Sequence, residues 1–598
     1  MAIRRTIAHM QHQRMSSKPN KDNLYYKKGE TWTPISNNET LQGATEIAMG
    51  LWSLGIRHGD RVSVMSASRP EWALMDSAVL SIGGTVVSIY PTSTQDAVQY
   101  ILDHSGSKVA ILENASHWNL IEPELGNIAN LQHVIMIDAT DMPAGDWIDL
   151  DKIRLLGRDL LKEQPNLPNE ARDAVQPTDL ASLMYTSGTT GRPKGVALNH
   201  DMIYTVVEIL DSLVTFEDGD TGVIYLPMSH ILQRINVYLG NYSGLVGYFA
   251  PSILDFVETC QAAHPRALSG VPRVFEKIHA RIMAGVEQAP PTRQKIFHRA
   301  IEIGRKRVQL EEAGKSVPLG IRLQSALFER LVYSKLRAGI FGNNIEYLTC
   351  GAAPISTELL EFYYAIGLPI YEGYGLTETS SPITLNLPDK HRIGTVGPAL
   401  PGSQVKIAED GEVLLKGPSV FQEYYNNPEA TSDSFTEDGW FMSGDIGELD
   451  SEGFLRITDR KKYLIITAAG KNIAPAPLEQ QLLQHPLIGQ VVVHGDQRKY
   501  LSALLTLDPE ALAVWAEQNG KAGKSSAELA SDAAIQSEVN AFVESVNSKV
   551  ARYETIKKFT ILPEEFSIDN GYLTPSMKIK RKAIEADFVD TLDSMYAG

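Results

Sequence analysis

Residues 185–196 place a loop rich in glycine and hydroxyl groups directly after an apolar strand pattern at 180–184. The loop contains four serines or threonines, three glycines and two cations. Glycines allow backbone N–H groups to approach an oxyanion closely, and the hydroxyls add further donors. The segment therefore predicts a phosphate-binding loop, with a flexible surface loop as the alternative. It is not a Walker A loop, because Pro193 stands where the second glycine of that motif belongs.

The bulk properties exclude several classes of protein. A chain of 598 residues is expected to form two or more domains. Its net charge of −17 argues against a general nucleic-acid binder, so we expect no nucleic-acid partner.

The two cysteines, Cys260 and Cys350, are expected to be buried apolar residues in a reducing compartment. No apolar run approaches the roughly 18 residues of a membrane span, which predicts a cytoplasmic protein and leaves peripheral contact with a membrane open. The oligomeric state is not predicted.

Helix and strand patterns alternate in the first part of the chain. Helices are predicted at 40–54, 70–82 and 95–103, and strands at 61–65, 84–90 and 108–112. This order is typical of a mostly parallel sheet covered by helices. Similar alternation resumes after residue 180, with strands at 222–225, 345–348 and 404–415. Residues 272–340 lack strand signals and predict a helical insertion on the surface.

A second pattern begins near residue 460. Strands are predicted at 491–493, 501–507 and 559–562, a helix over 535–550 and an exposed loop at 519–532. We therefore predict an α/β protein with a large domain over residues 1–459, built of several subdomains. A small α+β domain is predicted over residues 460–598.

The segment 371–378 carries side chains suited to a nucleotide. The ring of Tyr374 can stack on a base, the hydroxyl of Thr377 can donate to an α-phosphate, and the carboxylate of Glu378 can hold Mg²⁺. A structural turn is the alternative. The last glycine of the dinucleotide-binding motif is replaced by Glu378, so that fold is disfavoured.

Four further positions are candidates on weaker signals. The small residues at 351–353 allow a flat adenine to lie against the backbone, although a tight turn would look the same. Asp445 follows a glycine and can accept hydrogen bonds from two ribose hydroxyls, although such residues are commonly turn residues. His230 follows a predicted strand, where a single histidine is more commonly structural than catalytic. Lys578 lies in a basic segment that is otherwise a solvated charge run.

Taken in order, these motifs resemble those of the adenylate-forming enzymes, the superfamily of acyl-CoA synthetases, luciferases and peptide-synthetase adenylation domains. The resemblance spans residues 40–585. It implies an ATP- and AMP-binding site made of Thr186, Ser187, Gly188, Thr189, Thr190, Gly191, Lys194, Gly351, Ala352, Ala353, Tyr374, Gly375, Thr377, Asp445 and Arg460.

The resemblance also implies roles in catalysis. It makes Lys578, Thr186 and Glu378 catalytic, with Mg²⁺ bound by Glu378 and Thr186. Many members of the family have glycine before the catalytic lysine, whereas this chain has Met577, and Lys580 is the competing choice for that lysine. The small domain would rotate about a hinge at Lys462, and Gly470 would then face a CoA tunnel. His230 matches the position beside the acyl group, which implies a gate between the adenylate and the acyl pocket.

Within the superfamily, residues 271–278, the helical insertion and residues 470–475 look like those of long-chain fatty acyl-CoA synthetases. This implies activation of a long-chain fatty acid by ATP and Mg²⁺ to an acyl-AMP, which CoA then converts to a thioester. One alternative is an enzyme that passes the acyl group to a carrier protein. The other is a non-catalytic acyl or nucleotide sensor. The preferred chain length and the pathway stay open.

Overall fold

A seven-stranded sheet forms the core of the first third of the chain. The computed structural model describes residues 4–140, 142–186, 192–468 and 470–597. The strands of this sheet, in spatial order, are Ile148–Asp149, His133–Met136, Val109–Leu112, Arg61–Met65, Thr85–Ile89, Leu180–Thr186 and Lys194–Asn199. All neighbours are parallel except the last pair, which is antiparallel. The parallel sheet predicted from the alternating pattern is therefore confirmed.

The helices that cover this sheet begin and end at recognisable signals. The helices Asn37–Ser53, Pro70–Ser81 and Gln95–Ser105 match the three predicted helices. The first begins three residues earlier than predicted, because Ser36 and Glu39 form a reciprocal capping box. Pro70 occupies the first turn of the second helix, where its missing N–H costs nothing.

Two further sheets are mostly parallel. One has the order Thr221–Ile224, Val246–Phe249, Asp22–Lys28 and Thr31–Ser36; the other has the order Ala267–Gly270, Tyr347–Cys350, Ile370–Leu376 and Ser381–Leu385. In each, only the last pair of strands is antiparallel. The second of these sheets carries residues 351–353 and 374–378 at the ends of its strands, so it positions much of the candidate site.

A fourth sheet corrects one prediction. The single strand expected at 404–415 is two antiparallel strands, Gln404–Ile407 and Glu412–Lys416, joined by a turn in which Gly411 has φ of 86°. The sheet continues through Phe441–Leu449 and Leu455–Arg460 and is antiparallel throughout. A positive φ of this size favours glycine, and the reversal falls in the polar segment 408–411 that separates the two strands.

The segment between residues 272 and 341 is helical. Its helices are Pro272–Glu287, Pro291–Glu312, Leu319–Phe328 and Ser334–Phe341, with a π-helical turn at Glu329–Tyr333 between the last two. Each of the first two has a proline in its first turn. Phe275, Tyr333 and Phe341 are fully buried and attach this segment to the sheet that ends at residue 385.

A smaller α+β unit follows residue 460. Its sheet consists of Ile488–His494, Leu501–Leu507 and Ile556–Ile561, packed against the helices Pro475–Leu482 and Ala533–Asn547. The loop predicted at 519–532 is partly wrong, because Ser526–Ala530 is a short helix with a capping box at Ser525 and buried Leu529 and Ala530. The α/β class with a large N-terminal and a smaller C-terminal domain is confirmed, and the domain limit at residues 459 and 460 stays a prediction.

Two expectations from composition have structural counterparts. Cys260 and Cys350 are both buried free thiols, and burial raises the pKa of Cys260 to about 12. Within the described parts of the chain, no helix is long and apolar enough to cross a membrane. The cytoplasmic location stays a prediction.

Candidate active site

A cleft of about 4260 Å³ lies between the large and the small domain. It collects most of the predicted site residues, namely Thr186, Lys194, His230, Gly351, Ala352, Ala353, Tyr374, Gly375, Thr377, Glu378, Asp445, Arg460, Lys462 and Lys578. Five predicted residues, Ser187, Gly188, Thr189, Thr190 and Gly191, lie outside the described residues. Gly470 does not line the cleft. The chain thus brings together residues separated by up to about four hundred positions in sequence.

Asp445 is held on both carboxylate oxygens. Asp445 and Arg460 are cross-strand partners, and the Arg460 Nε lies 2.9 Å from Asp445 Oδ1. The Tyr374 hydroxyl donates to Asp445 Oδ2 at 2.6 Å. Asp445 is buried, and its carboxylate keeps lone pairs for two further donors. This geometry suits two adjacent hydroxyl groups, such as those of a ribose.

Close backbone approach explains the small residues around Tyr374. A Cβ atom on Gly375 would lie 2.1 Å from the carbonyl oxygen of Ser381, so no other residue fits there. A Cβ on Gly351 would lie 3.3 Å from the Gly373 oxygen. Ala352 has φ of 69°, which is unusual for alanine and turns the segment after the strand Tyr347–Cys350 towards the cleft. These residues leave a flat surface of backbone.

The two ends of the glycine-rich loop are fixed by strand pairing. Thr186 and Lys194 face each other in the antiparallel pair that closes the seven-stranded sheet. The Lys194 Nζ lies 4.8 Å from the centre of the Tyr424 ring. The Tyr424 hydroxyl donates to Glu378 Oε1 at 2.9 Å. Tyr424 therefore links the loop to Glu378.

The contacts of Glu378 leave its carboxylate able to bind a metal ion. One oxygen of its carboxylate accepts the Tyr424 hydrogen bond, and the other has no described hydrogen bond, while Thr186 lines the same cleft. No cluster of three or more metal-ligating side chains occurs among the described residues. Magnesium is commonly bound by one or two carboxylates together with substrate phosphates, and this sparse donor set fits that pattern.

Lys578 reaches the cleft from the small domain on a tight hairpin turn. Its backbone N–H donates to Thr574 Oγ1 at 3.0 Å, and its carbonyl accepts from the Thr574 N–H at 2.8 Å. Met577 has φ of 62°, a conformation that favours glycine, so the turn tolerates this methionine at a cost in strain. The Thr92 hydroxyl donates to the Pro575 carbonyl at 2.9 Å and docks the turn on the large domain.

The environment of Lys578 is electrostatically mixed. The walls of the cleft desolvate the ammonium and lower the pKa of Lys578, and Arg460 lowers it further. Asp445 and Glu378 act in the opposite direction. The residue remains exposed to the cleft, so water still moderates the desolvation. Lys578 is therefore close enough to the Asp445 and Glu378 carboxylates for their charges to act on it.

His230 has a structural role and a free ring edge. Its Nδ1 accepts the Leu232 N–H at 3.2 Å and caps the helix Ile231–Ser243. Burial, together with the charge of Lys578, lowers the pKa of His230 to about 4. The ring is neutral at pH 7, with its proton on Nε2 because Nδ1 is an acceptor. A neutral donor lining the cleft agrees with a gate and gives no general base.

Lys462 and Gly470 lie where the small domain begins. Lys462 belongs to the short 3₁₀ turn Lys461–Tyr463 directly after Arg460, and partial burial together with Arg460 lowers its pKa to about 8. Gly470 has φ of 72° in the turn between the strands Ile465–Ile466 and Asn472–Ile473. Gly470 itself is exposed and does not line the cleft.

Two cleft residues were not found from the sequence. Tyr424 carries no motif, and only its contacts with Lys194 and Glu378 reveal it. Glu372 is buried in the strand Ile370–Leu376, and this burial raises its pKa to about 8. A backbone hydrogen bond from Gly394 acts in the opposite direction and lowers the pKa, but it has the smaller effect. Its position two residues before Tyr374 was the available signal. A carboxyl of this kind gives the cleft an acid that is neutral near pH 7.

Comparison with known proteins gives the family. The model of the AMP-binding enzymes matches residues 12–425, and that of the AMP-binding enzyme C-terminal domain matches residues 462–598. The chain belongs to the AMP-binding enzyme family.

Individual relatives agree with this assignment. The chain is 39% identical over 570 residues to the long-chain-fatty-acid–CoA ligase FadD15 of Mycobacterium bovis, covering 94% of this chain and 92% of that protein. The adenylation domain of a carboxylate reductase from Mycobacterium chelonae has a TM-score of 0.76 at 21% identity, covering 99% of this chain and 91% of that one. The O-succinylbenzoate–CoA synthetase of Bacillus subtilis, solved with ATP and magnesium, has a TM-score of 0.66 at 22% identity over 96% of this chain and 99% of that one. Both solved structures share the fold.

Proposed function

We propose that this chain is an AMP-forming ligase that activates a long-chain fatty acid with ATP and transfers the acyl group to the thiol of CoA. The observation that carries the proposal is the meeting of Lys578, Glu378 and the Asp445–Arg460 pair around one cleft. Membership of the AMP-binding family and the 39% identity to a long-chain-fatty-acid–CoA ligase support the same activity.

In the first step a carboxylate oxygen of the fatty acid attacks the α-phosphorus of ATP. A new P–O bond forms, the bond to the β-phosphate oxygen breaks, and acyl-AMP and pyrophosphate result. No base is required, because the acid is ionised at pH 7. Lys578 stabilises negative charge on the α-phosphate and the attacking carboxylate, while Thr186, Lys194 and the loop between them hold the leaving pyrophosphate.

Several groups orient the nucleotide during this step. Asp445 accepts hydrogen bonds from the ribose hydroxyls, and Arg460 and Tyr374 keep its carboxylate in place. The flat backbone at 351–353 and the ring of Tyr374 enclose the adenine. Thr377 donates to the α-phosphate. Because these groups are fixed before the nucleotide binds, little reorganisation is needed in the transition state.

Magnesium enters with ATP in this proposal. Glu378 and the Thr186 hydroxyl would hold it, and a bound Mg²⁺ neutralises phosphate charge and orients the phosphates. Glu378→Gln keeps the shape of the side chain but removes its charge, so it should raise the Mg²⁺ concentration required for half-maximal rate. Excess Mg²⁺ should restore part of the activity. An unchanged Mg²⁺ dependence at normal rate would remove Glu378 from the site.

In the second step the CoA thiol attacks the carbonyl carbon of acyl-AMP. The thioester C–S bond forms, the bond to the AMP phosphate oxygen breaks, and the thiol proton passes to solvent. No enzyme thiol takes part in this route, in keeping with the burial of Cys260 and Cys350 and the raised pKa of both. We propose that the small domain turns about Lys462 for this step, which withdraws Lys578 and presents the Gly470 turn to the pantetheine arm.

The apolar part of the cleft suits a long acyl chain. It lies beside His230, between the helices His200–Leu213, Ile231–Ser243 and Pro272–Glu287. Its apolar lining includes Leu210, Val214, Phe216, Leu232, Ile235, Leu239, Val274 and Ile278. Burial of each CH₂ group contributes about 0.8 kcal/mol, which corresponds to about fourfold in kcat/KM. The rate should therefore rise from short acids towards roughly C12–C18 and then level off.

The experiment measures pyrophosphate and AMP release over a series of acids, with and without CoA. We expect acid-dependent pyrophosphate release that increases with chain length, and AMP release that increases sharply with CoA. If AMP release responds to an acyl carrier protein and not to CoA, the enzyme serves a carrier protein instead. If acetate or an aromatic acid is activated faster than dodecanoate and palmitate, the fatty-acid specificity is wrong. A chain that releases no pyrophosphate with any acid is a sensor rather than a ligase.

A further inference from the structure

The outer face of the helical segment 272–341 carries a row of exposed leucines. Leu319, Leu323, Leu327 and Leu331 follow one another at intervals of four residues and are between 48% and 68% exposed. We call these four residues the leucine row. Isolated exposed leucines are ordinary on protein surfaces, but four in one row form a continuous apolar ridge.

The ridge is the outer half of an amphipathic helix. Phe328, Tyr333 and Phe341, on the same run of helix, are buried against the protein. The leucine row therefore lies on the opposite, solvent-exposed face and does not pack against the rest of the protein. None of its four members lines the central cleft, so acyl-chain binding does not explain it.

Positive charge surrounds the ridge. Arg322, Arg330 and Lys335 are exposed on the same helical run. The one acidic side chain between residues 319 and 341, Glu329, pairs with Arg337. On the neighbouring helix Pro291–Glu312, Arg299 donates to Gln324 at 3.4 Å and lies beside the row, where it also pairs with Glu302 at 2.7 Å. The apolar ridge thus has a basic border.

The charge of the whole segment is opposite to that of the chain. Residues 272–341 contain fourteen lysines and arginines, six glutamates and no aspartate, whereas the complete chain has a net charge of −17. A cationic segment on an anionic protein is attracted to an anionic surface while the rest of the molecule is repelled, which orients the contact.

We propose that the leucine row and its basic border form a docking surface for an anionic lipid bilayer. The leucines enter the boundary between headgroups and acyl chains, and Arg322, Arg330 and Lys335 lie at the level of the phosphates. Apolar residues in a row with lysine and arginine beside them are the composition of helices that lie in this interface. The inference does not rest on the proposed function, because lipid binding is measured without ATP, acid or CoA.

The proposal also gives the molecule an orientation. The helix Pro272–Glu287 of the same segment lines the cleft, whereas the leucine row faces outwards. Docking by this face would place one wall of the cleft close to the membrane, where long-chain acids are dissolved.

The test is co-flotation of the full-length protein with vesicles of phosphatidylcholine alone or mixed with phosphatidylglycerol. We expect binding to the mixed vesicles, weaker binding to the neutral ones, and loss of binding as salt is raised. Arg322→Gln combined with Arg330→Gln should weaken partitioning by roughly 25-fold, since each basic residue at an anionic surface contributes about 1 kcal/mol, or about fivefold. Leu323→Ser combined with Leu327→Ser should weaken it at least about tenfold.

The matched control is Lys152→Gln combined with Leu155→Ser. Leu155 is also 50% exposed, and Lys152 is exposed on the same helix, Leu150–Glu163. The control should bind vesicles as the wild type does, and all three double variants should release pyrophosphate at the wild-type rate without vesicles. Wild-type protein that does not float, or row variants that float as well as the control, would overturn the proposal. A dimer that the leucine variant dissociates, without vesicle binding, would instead make this face a contact between two copies.

Discussion

The two sides of the cleft are held in very different ways. On one side, Asp445 and Arg460 are partners in one antiparallel sheet, and Tyr374 completes the contact with the carboxylate. On the other side, Lys578 lies on a turn of the small domain. Among the described residues, this turn is joined directly to the large domain by the hydrogen bond from the Thr92 hydroxyl to the Pro575 carbonyl. The nucleoside side is thus built into the fold of the large domain, whereas the Lys578 side depends on how the small domain is placed.

This difference separates binding from catalysis. A nucleoside site built from two sheets of the large domain keeps its affinity while the small domain moves. A lysine that arrives on the other domain supplies its charge only in one orientation. Described ion pairs that favour this orientation lie at the surface, between Arg273 and Asp508 at 2.6 Å and between Lys277 and Glu510 at 3.4 Å. Such pairs contribute little, so the orientation can change at small energetic cost.

The largest expected effect belongs to Lys578. Lys578→Ala should slow pyrophosphate release by about 10²–10³-fold, the usual loss when one preorganised stabilising group is removed. AMP binding and thioester formation from supplied acyl-AMP should change much less, because the nucleoside side stays intact. Single-turnover assays of the two half-reactions test this. Lys580→Ala is the matched control on the same segment, and a larger effect there, or equal loss in both half-reactions, would contradict the assignment of Lys578.

Asp445→Asn should mainly affect nucleotide affinity. A charge-assisted hydrogen bond contributes about 1.5–3 kcal/mol, so the Kd for AMP should rise by roughly 10–100-fold. Isothermal titration measures this directly. Asp438→Asn, in an exposed pair with Lys406 outside the cleft lining, removes the same charge and should leave the Kd unchanged. Equal Kd values for the two variants would show that Asp445 does not bind the nucleotide.

Tyr374→Phe should give a smaller change on the same side. The variant keeps the ring but removes the hydroxyl that donates to Asp445 at 2.6 Å. One hydrogen bond contributes about 0.5–1.5 kcal/mol, so the Kd for AMP should rise by about 2–10-fold. The double variant with Asp445→Asn should show less than the product of the two effects, because both changes act on one contact. Multiplicative effects would place Tyr374 outside the Asp445 contact.

The smallest effect is expected at the surface between the domains. Arg273→Gln removes an exposed ion pair that contributes about 0.2–1 kcal/mol, so pyrophosphate release should slow by at most about fivefold. Thioester formation from acyl-AMP should be unchanged or faster, because the second orientation gains population. Arg299→Gln, which breaks a pair with Glu302 inside one helix, is the control. Equal slowing of both half-reactions by Arg273→Gln would argue that this pair does not favour the first orientation.

Local sequence signals predicted the elements of the seven-stranded sheet well. The helix that begins at Pro70 and the strand at 61–65 follow from proline and from alternation of apolar residues, both of which act over a few residues. Asp445 and Arg460 were recognised through motifs. The two residues lie on strands that follow one another in sequence and pair in an antiparallel hairpin, so the contact between them joins positions that are close in sequence.

Contacts between distant segments depended on the tertiary structure. Tyr424 lies on an irregular segment with no periodic pattern, and its bridge from Lys194 to Glu378 arises only when two sheets meet. By contrast, the turn at 408–411 is a local feature, because Asp410 and Gly411 form a hairpin-turn signal between the two strands and Gly411 has the left-handed φ that the reversal needs.

The leucine row shows the same division between sequence and structure. Leucines four residues apart predict one face of a helix, and the sequence alone therefore establishes that Leu319, Leu323 and Leu327 point the same way. Periodicity would place such a face in the core. The tertiary structure places Phe328 and Tyr333 there instead and leaves the leucines outside. A helix buries the face that its neighbours can cover, and which neighbours are present is decided by the packing of the whole domain.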